Sequence, residues 1–116
     1  MAIPSGSGTE VLKRAYLHAN SDAWVTLITG VANHIYTILS VCAIEQVDTD
    51  TVIYIRVDIS AAGSNQINLL VDQNLAGKET FVWNDKFVIT GTDKLEIYND
   101  VSNVDWYVTY IDQDWT

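Results

Sequence analysis

His18 and His34 are the only imidazoles in the chain. Nucleophilic or general-base chemistry near neutral pH would have to run through one of them. Serines and aspartates are plentiful enough to complete a Ser–His–Asp set by composition alone. Neither histidine sits in a motif, however. There is no G-x-S-x-G turn, and no H-x-H or H-E-x-x-H spacing that would seat a metal. His18 precedes a turn and His34 opens a strand, so a surface or boundary imidazole is the plainer role for each. Asp48-Thr49-Asp50 begins like a calcium loop, but Val52 stands at the next ligand position and no glycine follows where one is needed. A solvated hairpin turn fits it better. Asp112-Gln113-Asp114 reads as a polar tail, or less often as a cation site shared between subunits. Fifteen acids offer carboxylate pairs for glycoside hydrolysis almost anywhere, so that signal selects nothing. Gly6-Ser7-Gly8 has no strand before it, no third glycine and no GK[S/T] after it, and cannot cradle phosphate. No catalytic residue, metal site or cofactor is expected, and a small hydrolase is the least favoured reading.

The elements that would position these residues are strands. In TVIYIRVDIS (51–60), Ile53, Ile55, Val57 and Ile59 alternate with Tyr54, Arg56 and Asp58. Period two with one apolar face marks a half-buried strand. Similar runs occur at 24–29, 35–44, 66–72, 80–83, 87–90, 94–98 and 104–112, separated by Asn, Asp, Gly and Ser turn clusters. The expected fold is all-β: an antiparallel two-sheet β-sandwich, jelly-roll or immunoglobulin-like, of about eight strands with an extended N-terminal arm. TEVLKRAYLHA (9–19) is ambiguous. Leu12, Ala15, Tyr16 and Ala19 make a helical stripe behind Thr9 as a cap. A strand would instead put Leu12, Arg14, Tyr16 and His18 on one side, and strand is the expectation because everything after it is β. The division expected is an arm over 1–10 and a sandwich over 11–116.

Composition narrows the partners. With 116 residues the chain is one domain, and 48% hydrophobic against 18% charged content makes it globular. A net charge of −9 argues against a nucleic-acid backbone and an anionic membrane as partners. No basic segment followed by an apolar one opens the sequence, and no apolar stretch is long enough to span a bilayer, so neither a secretory signal nor a membrane span is expected. Cys42 is the single cysteine, which leaves no intramolecular disulfide. It lies in the apolar run 38–44 and reads as a small buried hydrophobe.

Several strands are apolar on both sides. In 35–44, Ile35, Leu39 and Ala43 share one side, and Tyr36, Ile38, Cys42 and Ile44 the other. In 104–112, Val104, Trp106, Val108 and Tyr110 oppose Tyr107 and Ile111. Only one face of each sheet in a two-layer sandwich is core. The second face must be covered by a loop, the arm or another subunit, and the surplus of aromatic area suits a protein contact. The residues expected to touch a partner are Ile3, Pro4, Ser5, Gly6 and Gly8 in the arm, the basic pair Lys13-Arg14, and Trp106 and Tyr110 in the last strand. Trp24, Trp83, Trp106 and Trp115 are alternative candidates for stacking on sugar rings.

MAIPSGSGTEVLKR, the turn-then-strand GVANHIYTILSV and the aromatic strand VDWYVTYI resemble small β-sandwich structural proteins of tailed-bacteriophage virions, the head decoration (cement) and tail- or neck-associated proteins. The resemblance extends loosely over the whole chain and carries over no catalytic residue. It implies a non-enzymatic virion protein that binds the major capsid protein or other virion proteins and cross-links neighbours through its arm and apolar faces. It further implies self-association as a dimer or trimer, with the virion as its location. The alternatives are a tail, neck or fibre-base component, or a lectin-like carbohydrate-binding module.

Overall fold

The structure is a computed structural model that describes residues 9–20, 22–59, 65–101 and 103–116. Nine strands account for most of them: β1 (Thr9–Ala19), β2 (Val25–Thr29), β3 (His34–Glu45), β4 (Thr51–Ile59), β5 (Asn65–Leu75), β6 (Thr80–Trp83), β7 (Phe87–Thr90), β8 (Lys94–Asn99) and β9 (Val104–Asp114). The ambiguous segment 9–19 is strand β1. It pairs with β9 without a register break from Thr9 opposite Asp114 to Ala19 opposite Val104. Thr9 and Glu10 are therefore strand, two residues ahead of the expected start of the sandwich.

The strands form two antiparallel sheets. One runs β1-β9-β3-β6, with β7 also on β3, and the other runs β2-β8-β4-β5. β6 pairs with Val41–Ile44 and β7 with Ile35–Ile38, so the two act as one strand interrupted at 84–86. β1 and β2 lie in different sheets, as do β3 and β4. An immunoglobulin sandwich keeps its first two strands in one sheet, so this order is the jelly-roll one.

Alternation sets the core. β9 buries Val104, Trp106, Val108 and Tyr110, β4 buries Ile53, Ile55 and Val57, and β8 buries Leu95 and Ile97. These side chains interdigitate between the sheets with Ile38, Val41, Leu75 and Ile89. β3 departs from strict alternation. Ile38 faces Tyr110 but Ser40 faces Thr109, so Leu39 is an extra residue, a β-bulge. Before it Tyr36 and Ile38 point inward, and after it Val41, Ala43 and Glu45 do. The expected faces of 35–44 assumed an unbroken period and were mixed for that reason.

Three expectations change with these faces. Trp106 is 1% exposed and donates its indole N–H to Asn99 Oδ1 at 3.3 Å, which makes it a core residue and not a partner contact. Tyr110 also points inward and is buried, because it shares the phase of Trp106 on β9. Cys42 is not deep core. It is half-buried on the outer face of its sheet, opposite Val82 and Tyr107, and desolvation there raises its thiol pKa.

Candidate functional site

Period two also splits the basic pair. Lys13 is on the inner side of β1 and Arg14 on the outer side, so they do not form one basic patch. Lys13 Nζ donates to Asp112 Oδ2 at 2.8 Å. His34 Nδ1 lies 2.7 Å from Asp112 Oδ1, and His34 Nε2 lies 3.4 Å from Asp114 Oδ1. The cluster joins the ends of β1, β3 and β9 beside Tyr36 and Tyr110. Both ring nitrogens of His34 face carboxylates rather than a hydroxyl, an arrangement that clamps strands and does not activate a nucleophile. Burial acts to raise the pKa of Asp112, but the hydrogen bonds from Lys13 and His34 outweigh it and the net shift is downward. The hydrogen bond to Asp112 in turn raises the pKa of Lys13.

Asp100 is held in a similar way. It accepts from the Val52 N–H at 2.8 Å and from Thr51 Oγ1 at 2.7 Å, and the Val52 bond leads in holding its pKa below the ordinary carboxylate range. A carboxyl whose folded pKa is depressed stabilises the fold above its unfolded pKa and loses that contribution as pH falls through the folded value. Thermal unfolding should therefore be nearly flat from neutral pH down to about pH 5 and fall below about pH 4. Asp100→Asn should make the acid decline shallower. A melting series at several pH values checks both, and an unchanged acid limb in the variant would remove Asp100 from the account.

On the outer face of the β1 sheet, a recess of about 390 Å³ is lined by Arg14, Tyr16, His18, Asp105 and Tyr107, among others. Tyr16 and Tyr107 stack at 6.5 Å with 14° between their planes. Arg14 Nη1 donates to Tyr107 Oη at 3.4 Å. Asp105 takes both His18 Nδ1 and Gln46 Nε2. Leu12 and Tyr16 are 68% and 65% exposed, with Val82 and Val88 open on the same sheet. The second apolar face expected from the sequence is therefore present, and it is carried by β1, β6 and β7 more than by β9.

On the outer face of the other sheet, Trp24, Tyr54 and Tyr98 form an aromatic cluster. Their centroids lie 5.4–5.9 Å apart. Arg56 lies over the Trp24 ring at 3.7 Å and pairs with Glu96 at 2.8 Å. Only Trp24 of this set stands out as a candidate in the sequence, because the members come from β4, β8 and the turn before β2. Trp83 is half-buried and donates its indole N–H to the Asp85 carbonyl at 2.8 Å.

Asp50 Oδ1 accepts the Gly77 N–H at 3.0 Å, so the Asp48-Thr49-Asp50 turn is a brace between two loops. A Cβ on Gly77 would meet Asp48 backbone at 2.5 Å, and this close approach requires glycine. Among the described residues no group of three or more His, Cys, Asp or Glu could hold a metal ion. The arm residues Ile3, Pro4, Ser5, Gly6 and Gly8 lie outside the described residues.

The two sheets present unequal edges. β5 carries two register shifts against β4, with Asp72 at φ 55° near one of them. β2 is short and shifted against β8. β1 is eleven residues long and regular throughout, with Val11, Leu12 and Tyr16 exposed. Bulges and short strands are how sheets guard their edges, and β1 has neither.

No protein-family model matches the chain, and no curated protein matches it. A solved structure does. The chain is similar to a protein from "Bacillus endospore appendages form a novel family of disulfide-linked pili", with a TM-score of 0.56 over 100% of this chain and 97% of that one. The identity is 12%, so the likeness establishes a shared β-sandwich fold and nothing finer.

Proposed function

We propose that this chain is a non-enzymatic structural subunit that joins copies of itself through the β1 edge and takes its place in a larger assembly. The observation that carries this reading is the long, regular edge of β1, which no other strand covers among the described residues. Lys13, which would ordinarily discourage pairing there, is already neutralised by Asp112. The register of self-pairing follows from the charges. A two-fold antiparallel pairing centred on Leu12 sets Glu10 opposite Arg14 of the second copy, twice, with Val11 opposite Lys13 and Thr9 opposite Ala15. Centring it on Arg14 would oppose two guanidinium groups. Opposite charges across strands stabilise and like charges destabilise.

The assembly suggested by the sequence resemblance is a tailed-phage virion, with the major capsid protein or a tail or neck protein as the further partner. A pilus-like filament is the second reading, favoured by the fold shared with a protein from a pilus structure. That neighbour's pili are disulfide-linked, whereas the lone thiol here is half-buried, so self-association in this reading rests on strand pairing.

A charge swap tests the register. Sedimentation of the purified chain should show a dimer with a Kd of about 1–100 µM. Glu10→Arg and Arg14→Glu should each weaken it about tenfold, and the double swap should restore it. Both residues are exposed, so melting temperatures should stay within a few degrees of the parent. A monomer at all concentrations, or a double swap as weak as the singles, overturns the pairing. Finding the chain in purified particles, or in filaments by electron microscopy, decides between the two assemblies.

A further inference from the structure

The aromatic cluster beside β4 and β8 borders a recess on the outer face of its sheet. Tyr54 and Tyr98 are direct cross-strand partners. Trp24 precedes Val25, which pairs with Ile97, so it lies next to Tyr98 on the same row. The ring planes are steeply inclined to one another: 62° between Trp24 and Tyr54, 43° between Trp24 and Tyr98, and 80° between Tyr54 and Tyr98. Two of these contacts are edge-to-face, an arrangement aromatic neighbours favour, and the cup is the recess that the three rings border together. A recess of about 300 Å³ is lined by these three side chains.

The rim of the cup is acidic. Tyr98 Oη donates to Asp22 Oδ1 at 2.5 Å, and Tyr54 Oη donates to Asp72 Oδ1 at 3.5 Å. The hydrogen bond to Asp22 leads in pushing the Tyr98 phenol up to about 12, and Asp100 acts in the same direction on both phenols. Two carboxylates thus stand at the phenol ends of the cup. Trp24 already accepts one cation: the Arg56 guanidinium occupies its ring, neutralised by Glu96. Arg56 does not line the recess.

We propose that Trp24, Tyr54 and Tyr98 form a binding site for an organic cation of the alkylated ammonium class. With centroids 5.4–5.9 Å apart, the point equidistant from all three lies about 3 Å from each. A cation seated about 4–5 Å above that point lies roughly 5–6 Å from every centroid, within the distance of a cation–π contact. A fully alkylated ammonium has no N–H donor to satisfy and only a weak hydration shell to lose, which suits an aromatic lining. A saccharide would stack on one flat ring face with polar groups in its plane, whereas here three mutually inclined rings border the recess together. The same head group can come from a free small molecule such as choline or from a trimethylated lysine on a protein.

The test uses the full chain and the four tryptophan indole N–H signals in a two-dimensional NMR spectrum. Tetramethylammonium chloride should shift the Trp24 signal saturably, while those of Trp83, Trp106 and Trp115 hold still. Sodium chloride at equal ionic strength should not. Tyr98→Leu should weaken binding about tenfold, and Asp72→Asn, on exposed β5, about threefold. If Tyr98→Leu fails to fold, Asp72→Asn still reads the site. Choline and a trimethyl-lysine peptide, titrated side by side, show which source of the head group the cup prefers. An equal shift with sodium chloride overturns the proposal. So does a saturable response to glucose or cellobiose without one to the cation, or a folded variant that binds unchanged.

Discussion

Trp106→Ala is expected to cost about 3–5 kcal/mol, the range for removing a large aromatic from a packed core. The ring is among the largest fully buried side chains, and it fills the space between the sheets near Leu17, Ala43 and Val104. Its loss also removes the hydrogen bond to Asn99, whose Nδ2 donates to the Ala19 carbonyl at 3.3 Å. Asn99 thereby links β8 to the end of β1 across the two sheets. A domain of this size has about 5–15 kcal/mol of stability in total, so the variant should melt on the order of 15 °C lower or fail to fold. Trp106→Phe keeps most of the apolar volume and should cost about 1–2 kcal/mol. Urea unfolding of the two variants checks the ordering. If both cost under about 1 kcal/mol, the site collapses around the deletion and the packing account is wrong.

The second large effect is expected at Glu45, a buried carboxylate at the end of β3 that is 1% exposed. Its oxygens accept backbone N–H groups of Val47 at 3.0 Å, Thr49 at 3.3 Å and Lys78 at 2.8 Å. The first two shape the β3–β4 loop, and the third draws in the β5–β6 loop, which Gly77 lets approach closely. Bonds to a charged acceptor are about twice as strong as neutral ones, and their loss leaves donors poorly satisfied. Glu45→Ala should therefore cost about 3 kcal/mol or more, and Glu45→Gln about half of that because one oxygen can still accept. Trypsin gives an independent readout. Cleavage after Lys78 should become several times faster in Glu45→Ala at a temperature where the parent resists. A destabilised protein whose cleavage pattern is unchanged would mean that Glu45 acts through the core and not through the two loops.

Glu45 also shows where sequence reading stops. A glutamate closing an apolar strand looks solvated, and its burial depends on a loop 33 residues further on. The strands themselves were legible because period two is local. Ile53, Ile55 and Val57 fell on the predicted face, and so did the split of β1 into Leu12, Arg14, Tyr16 and His18 against the rest. The β3 bulge was not legible, since 35–44 is apolar in both phases and either register satisfies the pattern. Trp106 and Tyr110 carried no sign in sequence to separate a core aromatic from a contact aromatic. The choice came from which face of β9 meets the second sheet. Lys13 and Arg14 adjoin in sequence, but alternation sends them to opposite sides of β1, so adjacency does not make one contact. The cup of Trp24, Tyr54 and Tyr98 required the order of β2, β8 and β4, which no local pattern encodes.

The contrast between the smooth edge of β1 and the kinked edge of β5 has a consequence for valency. A two-fold pairing of β1 consumes the long regular edge of both partners, and the edges left to the dimer are the shifted β2 and β5 and the short β6 and β7. Strand pairing through β1 then terminates at two, however high the concentration. A lattice or a fibre would need a second and chemically different contact to propagate, such as the exposed face around Leu12, Tyr16, Val82 and Val88. The dimer would be the brick and that other contact the mortar, so the two could be disabled separately by mutation.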